Sequence, residues 1–309
     1  MTGTGTQNDP YIVDNWADFI TAVGTAGAYV EFVKRLVRTA DREVDQNKLY
    51  VDANGIVQTN VQPSDLPNLY ENTFVLDANL DNDLRAGFTT PITINCNSIN
   101  GYGGYIKNVY GNAVNIFNLP SNANVPISQI AFLNFDLERA ALFNSTHQND
   151  FELCLFSGRE KGQTGNETYI FGSAYGGRTD FISCSFNLEL ITRIKPFYAG
   201  VFKFCRVELD ASENDNGEIA LTPQNCYFTG DWSKGKIGVY GSVFDCKYNI
   251  FEITRSDNFP QYTGGTKYNN LINNELYTGT IPAGFSGVSS ADLADAQTLR
   301  DTYGFPIQT

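Results

Sequence analysis

One short phrase recurs along this chain at a near-constant step, and that recurrence limits what the chain can fold into. Cys154, Cys184, Cys205, Cys226 and Cys246 are separated by 30, 21, 21 and 20 residues. Three of them share a local pattern: Phe151-Glu152-Leu153-Cys154-Leu155-Phe156, Phe181-Ile182-Ser183-Cys184-Ser185-Phe186 and Phe202-Lys203-Phe204-Cys205-Arg206-Val207. Weaker copies follow at Pro223-Gln224-Asn225-Cys226-Tyr227-Phe228 and Val243-Phe244-Asp245-Cys246-Lys247-Tyr248. An upstream copy carries Ile130 at the cysteine position, and a downstream copy, Tyr268-Asn269-Asn270-Leu271-Ile272-Asn273, carries Leu271. A period in this range is the mark of a repeat architecture.

Each copy reads as a strand. The cysteine and the aromatic residue two positions later fall on one face, because strand side chains alternate with period two. Between copies lie clusters of Gly, Asn, Asp, Ser and Thr, which is turn chemistry. The expected fold is all-β: a single-stranded right-handed parallel β-helix, a solenoid in which one residue per coil forms an inward ladder. A β-sandwich or jelly roll also has many short strands, but it does not require one phrase at a fixed step. In the ladder a free thiol acts as a small buried hydrophobe. A zinc site is not indicated, since no Cys-x-x-Cys pair exists and the only histidine is His147. One cysteine per coil reads as packing, not as a disulfide framework.

The 309 residues are long for one compact core, but repeats escape that limit because each packs only on its neighbours. The net charge of −13 argues against nucleic acid, which selects a basic footprint, and against anionic membrane surfaces. The opening residues lack the basic and apolar regions of a secretory signal. No run of apolar residues is long enough for a transmembrane helix. Synthesis in a cytoplasm is therefore expected, with the protein staying there or leaving inside a larger particle.

Three segments are expected. Residues 1–27 form a polar arm and a capping helix, in which Asp14 or Asn15 is the N-cap and Trp16, Phe19, Ile20 and Val23 share one face. Residues 28–280 form the parallel β-helix, with coil structure ending near Tyr277. Residues 281–309 form a C-terminal tail with one short helix from Ser289 or Ser290 to Leu299. Residues 33–90 are the least regular part. They gather Lys34, Arg35, Arg38, Arg42 and Lys48, read as a solvated face in preference to an insertion or contact surface.

The two ends carry a resemblance. Gly3 to Val13, with Asp9-Pro10-Tyr11, followed by Trp16-Ala17-Asp18-Phe19-Ile20 and Tyr29-Val30, resembles the opening of pectin-lyase-like right-handed parallel β-helix proteins of bacteriophage structural modules. Asp295-Ala296-Gln297-Thr298-Leu299 through Tyr303-Gly304-Phe305-Pro306-Ile307 resembles their closing segment. The matches cover about a sixth of the chain and speak more to fold than to function. The resemblance implies a virion surface component, such as a capsid decoration, head fibre or adsorption protein, and a homotrimer.

The same fold hosts polysaccharide lyases and hydrolases, so fold alone does not decide between a structural protein and an enzyme. Arg193-Ile194-Lys195 matches one of the four motifs of polygalacturonase-like enzymes, and the other three are missing. A tailspike-type hydrolase needs only two carboxylates. Asp180, Glu189, Glu208, Asp210, Asp231 and Asp245 lie on or near successive coils, where a solvated face explains them as simply. The acidic turn at 210–218 offers oxygen ligands without EF-hand spacing. His147, between Ser145 and Asp150, reads as a turn and not a triad. Gly230 to Lys236 nearly matches a P-loop, but Ile237 stands where Ser or Thr would hold magnesium, and a strand follows. Tyr102, Tyr105, Tyr175, Trp232 and Tyr240 are candidates for stacking on sugars, with corner packing the simpler reading.

These readings assign no catalytic, cofactor-binding or metal-binding residue and imply no cofactor. They favour a non-enzymatic bacteriophage virion surface protein, assembled in the host cytoplasm. Its partners would be other virion capsid or tail proteins, its own copies as a trimer, and host surface glycan, without nucleic acid or membrane. A tailspike-type polysaccharide depolymerase is the alternative.

Overall fold

The structure, a computed structural model, describes residues 1–38, 43–45, 49–54, 56–58, 60–72, 74–79, 88–119, 124–145, 149–162, 168–172, 179–197, 200–214, 218–234, 236–239, 246–256 and 267–305. The chain is mostly β. Twenty of the described strands join one long sheet whose pairings are parallel, and five more form a second parallel sheet.

The recurring phrase explains the register. Phe151 pairs with Phe181, Phe181 with Phe202, and Phe202 with Pro223. On the other side of each cysteine, Leu155, Ser185, Arg206, Tyr227, Ile250 and Leu271 follow one another in register. Between the two strands of each phrase sits a residue in the left-handed region: Leu153, Ser183, Phe204 and Asn225 have φ of 55°, 53°, 56° and 54°. That bend turns both aromatic residues of a phrase inward, so that Phe151 and Phe156 meet edge to face at 5.5 Å.

Phenylalanines from three sides fill the core in columns. Phe132, Phe156 and Phe186 stack at 5.2 and 5.1 Å. Phe151, Phe181 and Phe202 stack at 5.4 and 5.0 Å. The second sheet, through Phe117–Leu119, Phe143–Ser145, Thr168–Phe171 and Ile194–Phe197, adds the column of Phe117, Phe143, Phe171 and Phe197. Columns meet edge to face, as between Phe156 and Phe171 at 4.8 Å, the geometry that ring quadrupoles favour. Each buried ring contributes about 1.5–3 kcal/mol of transfer free energy.

All six cysteines are free and buried, but the inward ladder is not the one the spacing suggests. Gln224 pairs with Lys247, so Cys226 faces Asn249, and Cys246 falls beside Pro223. Lys247 pairs with Tyr268, so Asn249 faces Asn270, while Leu271 lies one position further on, beside Ile250. The ladder therefore reads Ile130, Cys154, Cys184, Cys205, Cys226, Asn249, Asn270. The expectation that Cys246 and Leu271 belong to it is corrected. The left-handed residues Tyr248 and Asn269, with φ of 56° and 53°, mark the true corners.

Helices flank the long sheet near its first and last strands. Helix Trp16–Gly24 is capped by the Asn15 side chain, which accepts the Asp18 N–H at 2.9 Å, and it buries Trp16, Phe19, Ala22 and Val23. The arm is not loose. Thr2 bridges Ile12, Gly5 accepts the Tyr29 N–H at 2.9 Å, and the Met1 ammonium contacts the Asp18 carboxylate. Pairing begins at Tyr11–Val13 and runs past Tyr277 to Phe285–Val288, which pairs with Asn270–Asn273. The tail holds two helices instead of one, Ser290–Ala294 and Ala296–Tyr303. Asp295 divides them, because its carboxylate accepts the Gln297 N–H and starts a new helix. Within 33–90, strands Leu36–Arg38, Tyr50–Val51, Val57–Gln58 and Tyr70–Asn72 form a separate antiparallel sheet, an insertion on the outside of the long one.

Candidate binding face

The outward side chains of the long sheet are bracketed at both ends. Leu49 of the insertion packs on Tyr105, Ala131 and Leu155. At the other end, Leu293, Leu299, Tyr303 and Phe305 of the tail pack on Ile250, Leu271 and Val288. A polar network fastens that tail. Asn273, wholly buried, donates to Ser290 Oγ at 2.9 Å and to Glu252 Oε1 at 3.3 Å, and Ser290 Oγ donates to Glu275 at 2.6 Å. Between the brackets, Ser185, Arg206 and Tyr227 face outward on consecutive rungs, which lie about 4.8 Å apart in any sheet. Arg206 lies 5.9 Å from the Tyr227 ring and 3.9 Å from Glu208, and the Tyr227 hydroxyl contacts the Glu252 carboxylate.

The sequence candidates fall into separate groups. Glu189, Asp210 and Asp231 form one in-register row, with Arg159 and Asp136 continuing it on the other side. Arg159 and Asp136 form a two-pronged ion pair, at 2.8 and 2.7 Å, that holds the guanidinium above its ordinary pKa. Glu208 sits in the adjacent outward row, opposite Asn187 and Thr229. Asp180 lies on a different strand, paired with Asp150 and Val201, and is not part of the row. Asp245 lies outside the described residues. Carboxylates on consecutive rungs match the roughly 5 Å separation of retaining glycosidases, and those two rungs apart match the roughly 6.5–9.5 Å of inverting ones.

The remaining candidates serve the scaffold. Thr192 and Arg193 form a left-handed corner with φ of 58° and 54°, and Lys195 pairs with Tyr169. In the acidic turn, Asp210 accepts from Ser212, and Asn214 points inward to hold the Ile194 N–H at 2.7 Å. Residues 215–217 of that turn lie outside the described residues. The near P-loop is a strand corner, where Gly230 has φ of 106°, Asp231 accepts the Ser233 N–H at 2.8 Å, and strand Lys236–Val239 follows as expected. Trp232 and Tyr105 are buried and cannot stack on a ligand. Tyr102 donates to Glu31 at 2.9 Å, and burial with that carboxylate pushes its phenol to about 12. His147, Tyr175 and Tyr240 lie outside the described residues. Among the described residues, no group of three or more His, Cys, Asp or Glu side chains is placed to hold a metal ion.

Sequence reasoning missed two inward polar positions. The asparagines of the ladder are one; their signal was the aromatic or aliphatic residue two positions later, Phe251 and Ile272. The other is Glu160, wholly buried between Leu137 and Leu190. Its Oε1 accepts the Ala140 N–H at 3.3 Å, its Oε2 has no partner, and burial pushes its carboxyl well above the usual range. Compared with known proteins, the chain matches no family model, no curated protein and no solved structure.

Proposed function

We propose that this chain is a right-handed parallel β-helix serving as a non-enzymatic surface protein of a bacteriophage virion: a capsid decoration, head fibre or adsorption component built from copies of itself, as a trimer. The observation that carries this reading is the in-register parallel pairing from Tyr11–Val13 to Phe285–Val288, with the first helix packed into the core and the tail helices packed on the outward side chains of the last rungs. Such a chain is a rigid spacer whose inside is all packing, so that its work falls to the outer face and the ends. The resemblance of the two terminal segments supplies the virion setting. The experiment is particle reconstruction with mass spectrometry of purified virions. Copies at capsid lattice points mean decoration, a few at the tail tip mean adsorption, and absence from virions defeats the reading.

The row of Glu189, Asp210 and Asp231 favours a second reading, a tailspike-type depolymerase of host surface glycans. Incubation with capsular polysaccharide separates the two. Release of oligosaccharide that Glu189→Gln, Asp210→Asn or Asp231→Asn abolishes supports the enzyme, and no release supports the structural protein.

A further inference from the structure

We propose that the corner carrying Phe204 binds an acidic polysaccharide, a polymer whose sugars bear carboxylates. Phe204 is the most exposed large apolar side chain among the described residues, at 61%. It also holds a left-handed backbone, with φ of 56°, where the neighbouring rungs have Ser183 and Asn225. Tyr248, two rungs on in the same column, meets Phe305 of the tail edge to face at 5.9 Å. Phe204 combines the same backbone strain with a ring left open to solvent, and costs of that kind gather at functional contacts.

The charges beside that ring are of one sign. Four consecutive rungs have Ser183, Phe204, Asn225 and Tyr248 at the corner. On those rungs the corner and the outward positions flanking it hold Lys203, Arg206 and Lys247 and no carboxylate, in a chain of 34 acidic and 21 basic residues. Lys203 and Lys247 stand two rungs apart in one row, with Gln224 between them, so they are separated by about 10 Å. Carboxylates return in the next outward row, where Glu208 lies 3.9 Å from Arg206 and Glu252 accepts the Tyr227 hydroxyl. The corner thus offers cations to carboxylates, a ring face to the apolar side of a sugar, and the Gln224 and Asn225 amides to hydroxyls. An acidic protein partner would call for more apolar area than one exposed ring. A nucleic acid selects a broader basic footprint than a chain of net charge −13 presents. The inference deepens the adsorption part of the proposed function by naming the ligand class, and it rests on that part alone.

Biolayer interferometry of the purified chain tests it. The probes are immobilised bacterial capsular polysaccharides bearing uronic or sialic acid, and the same polymers with their carboxyls reduced to alcohols. Oligo(dT) and polyglutamate serve as competing polyanions. The wild type should bind the acidic polymers and weaken at least about tenfold on carboxyl reduction and in high salt. Asparagine already stands in the Phe204 column at Asn225 and Asn269, so Phe204→Asn keeps the fold. That variant, and Lys203→Gln combined with Arg206→Gln, should each weaken binding at least about tenfold. Lys161→Gln, which removes an exposed cation away from the corner, should change nothing. A wild type that binds no acidic polymer, binds the reduced forms as well, or keeps its affinity in the corner variants overturns the inference. Capture of oligo(dT) or polyglutamate as tight as that of the acidic polymers overturns the sugar as occupant. None of these outcomes touches the virion reading, which location in the particle decides.

Discussion

The side-chain carbonyl of Asn270 accepts the amide N–H of Asn249 at 2.8 Å, from one rung to the next, with both residues wholly buried. Around this contact every amide group is used. Asn249 Oδ1 accepts the Cys226 N–H at 2.9 Å, its Nδ2 donates to the Pro223 carbonyl at 3.0 Å, and Asn270 Nδ2 donates to the Cys246 carbonyl at 3.0 Å. In the preceding rungs sulfur does the same work at longer range. Cys226 Sγ accepts the Cys205 N–H at 3.4 Å, and Cys205 Sγ donates to the Phe181 carbonyl at 3.3 Å. The corner between two strands leaves backbone groups that the sheet does not pair. A small inward side chain with both donor and acceptor satisfies them, a thiol weakly and an amide well.

Replacing that amide should therefore cost more than its volume suggests. Asn249→Ala leaves the Cys226 N–H and the Pro223 carbonyl buried without their partner, at a cost of about 2–3 kcal/mol. Asn249→Cys, which restores the side chain found four times in the same column, should cost clearly less. Urea denaturation of both variants measures the difference. Equal losses would mean that the column is set by volume and not by hydrogen bonding.

How far the fold was legible follows from the same column. The strands, their inward aromatics and the turns were readable, because Phe151, Phe156, Phe181 and Phe186 hold a fixed spacing around each corner. The register beyond Cys226 was not. Cysteine is the visible marker, but the physical requirement is a small polar-capable side chain after a left-handed residue, and asparagine meets it equally. Cys246 then drew the alignment three residues off. The antiparallel insertion was obscure because its short strands pair with one another and follow no repeat. The outward carboxylates were individually visible. Which of them share a row depended on the register, so the separation of Asp180 from Glu189, Asp210 and Asp231 was not readable.

Glu160 gives the fold an alkaline weakness. Its carboxyl titrates well above its value of 4.5 in an open chain, owing first to burial. The stabilisation it contributes is complete below the open-chain value and is lost as pH rises through the folded value. Glu160→Gln keeps an oxygen for the Ala140 N–H and cannot ionise. The variant should match the wild type in acid and unfold at a higher temperature near neutrality. Thermal unfolding across pH checks this, and parallel curves for the two proteins would refute it.

The cysteines should be chemically silent in the folded chain. Burial pushes the Cys96 thiol to about 12 and those of Cys184 and Cys226 well up, which removes their thiolates at neutral pH. Cys205 is held low, against its own burial, by hydrogen bonds from Cys184 and Cys226, so exclusion of the reagent from the core keeps it silent. Ellman's reagent should find no reactive thiol in native protein and six after denaturation. Rapid reaction of any thiol in the native state would show that a rung opens locally.

The aromatic columns should bear the largest single costs. Phe156 stacks on Phe132 and Phe186 and meets Phe171 edge to face, so its ring supports its own column and touches a second. Phe156→Ala removes contacts from rungs on both sides and leaves a cavity that rigid neighbouring strands cannot close, for a loss of about 3–5 kcal/mol. Phe156→Leu retains most of the volume and should lose much less. Phe204→Asn, at an exposed corner, should lose nothing and gain a little, because asparagine tolerates the left-handed backbone that phenylalanine strains. Chemical denaturation of the three variants orders them. If Phe204→Asn proved as costly as Phe156→Ala, the outward placement of Phe204 would be wrong, and with it the register of the corner that turns Phe202 inward and Phe204 out.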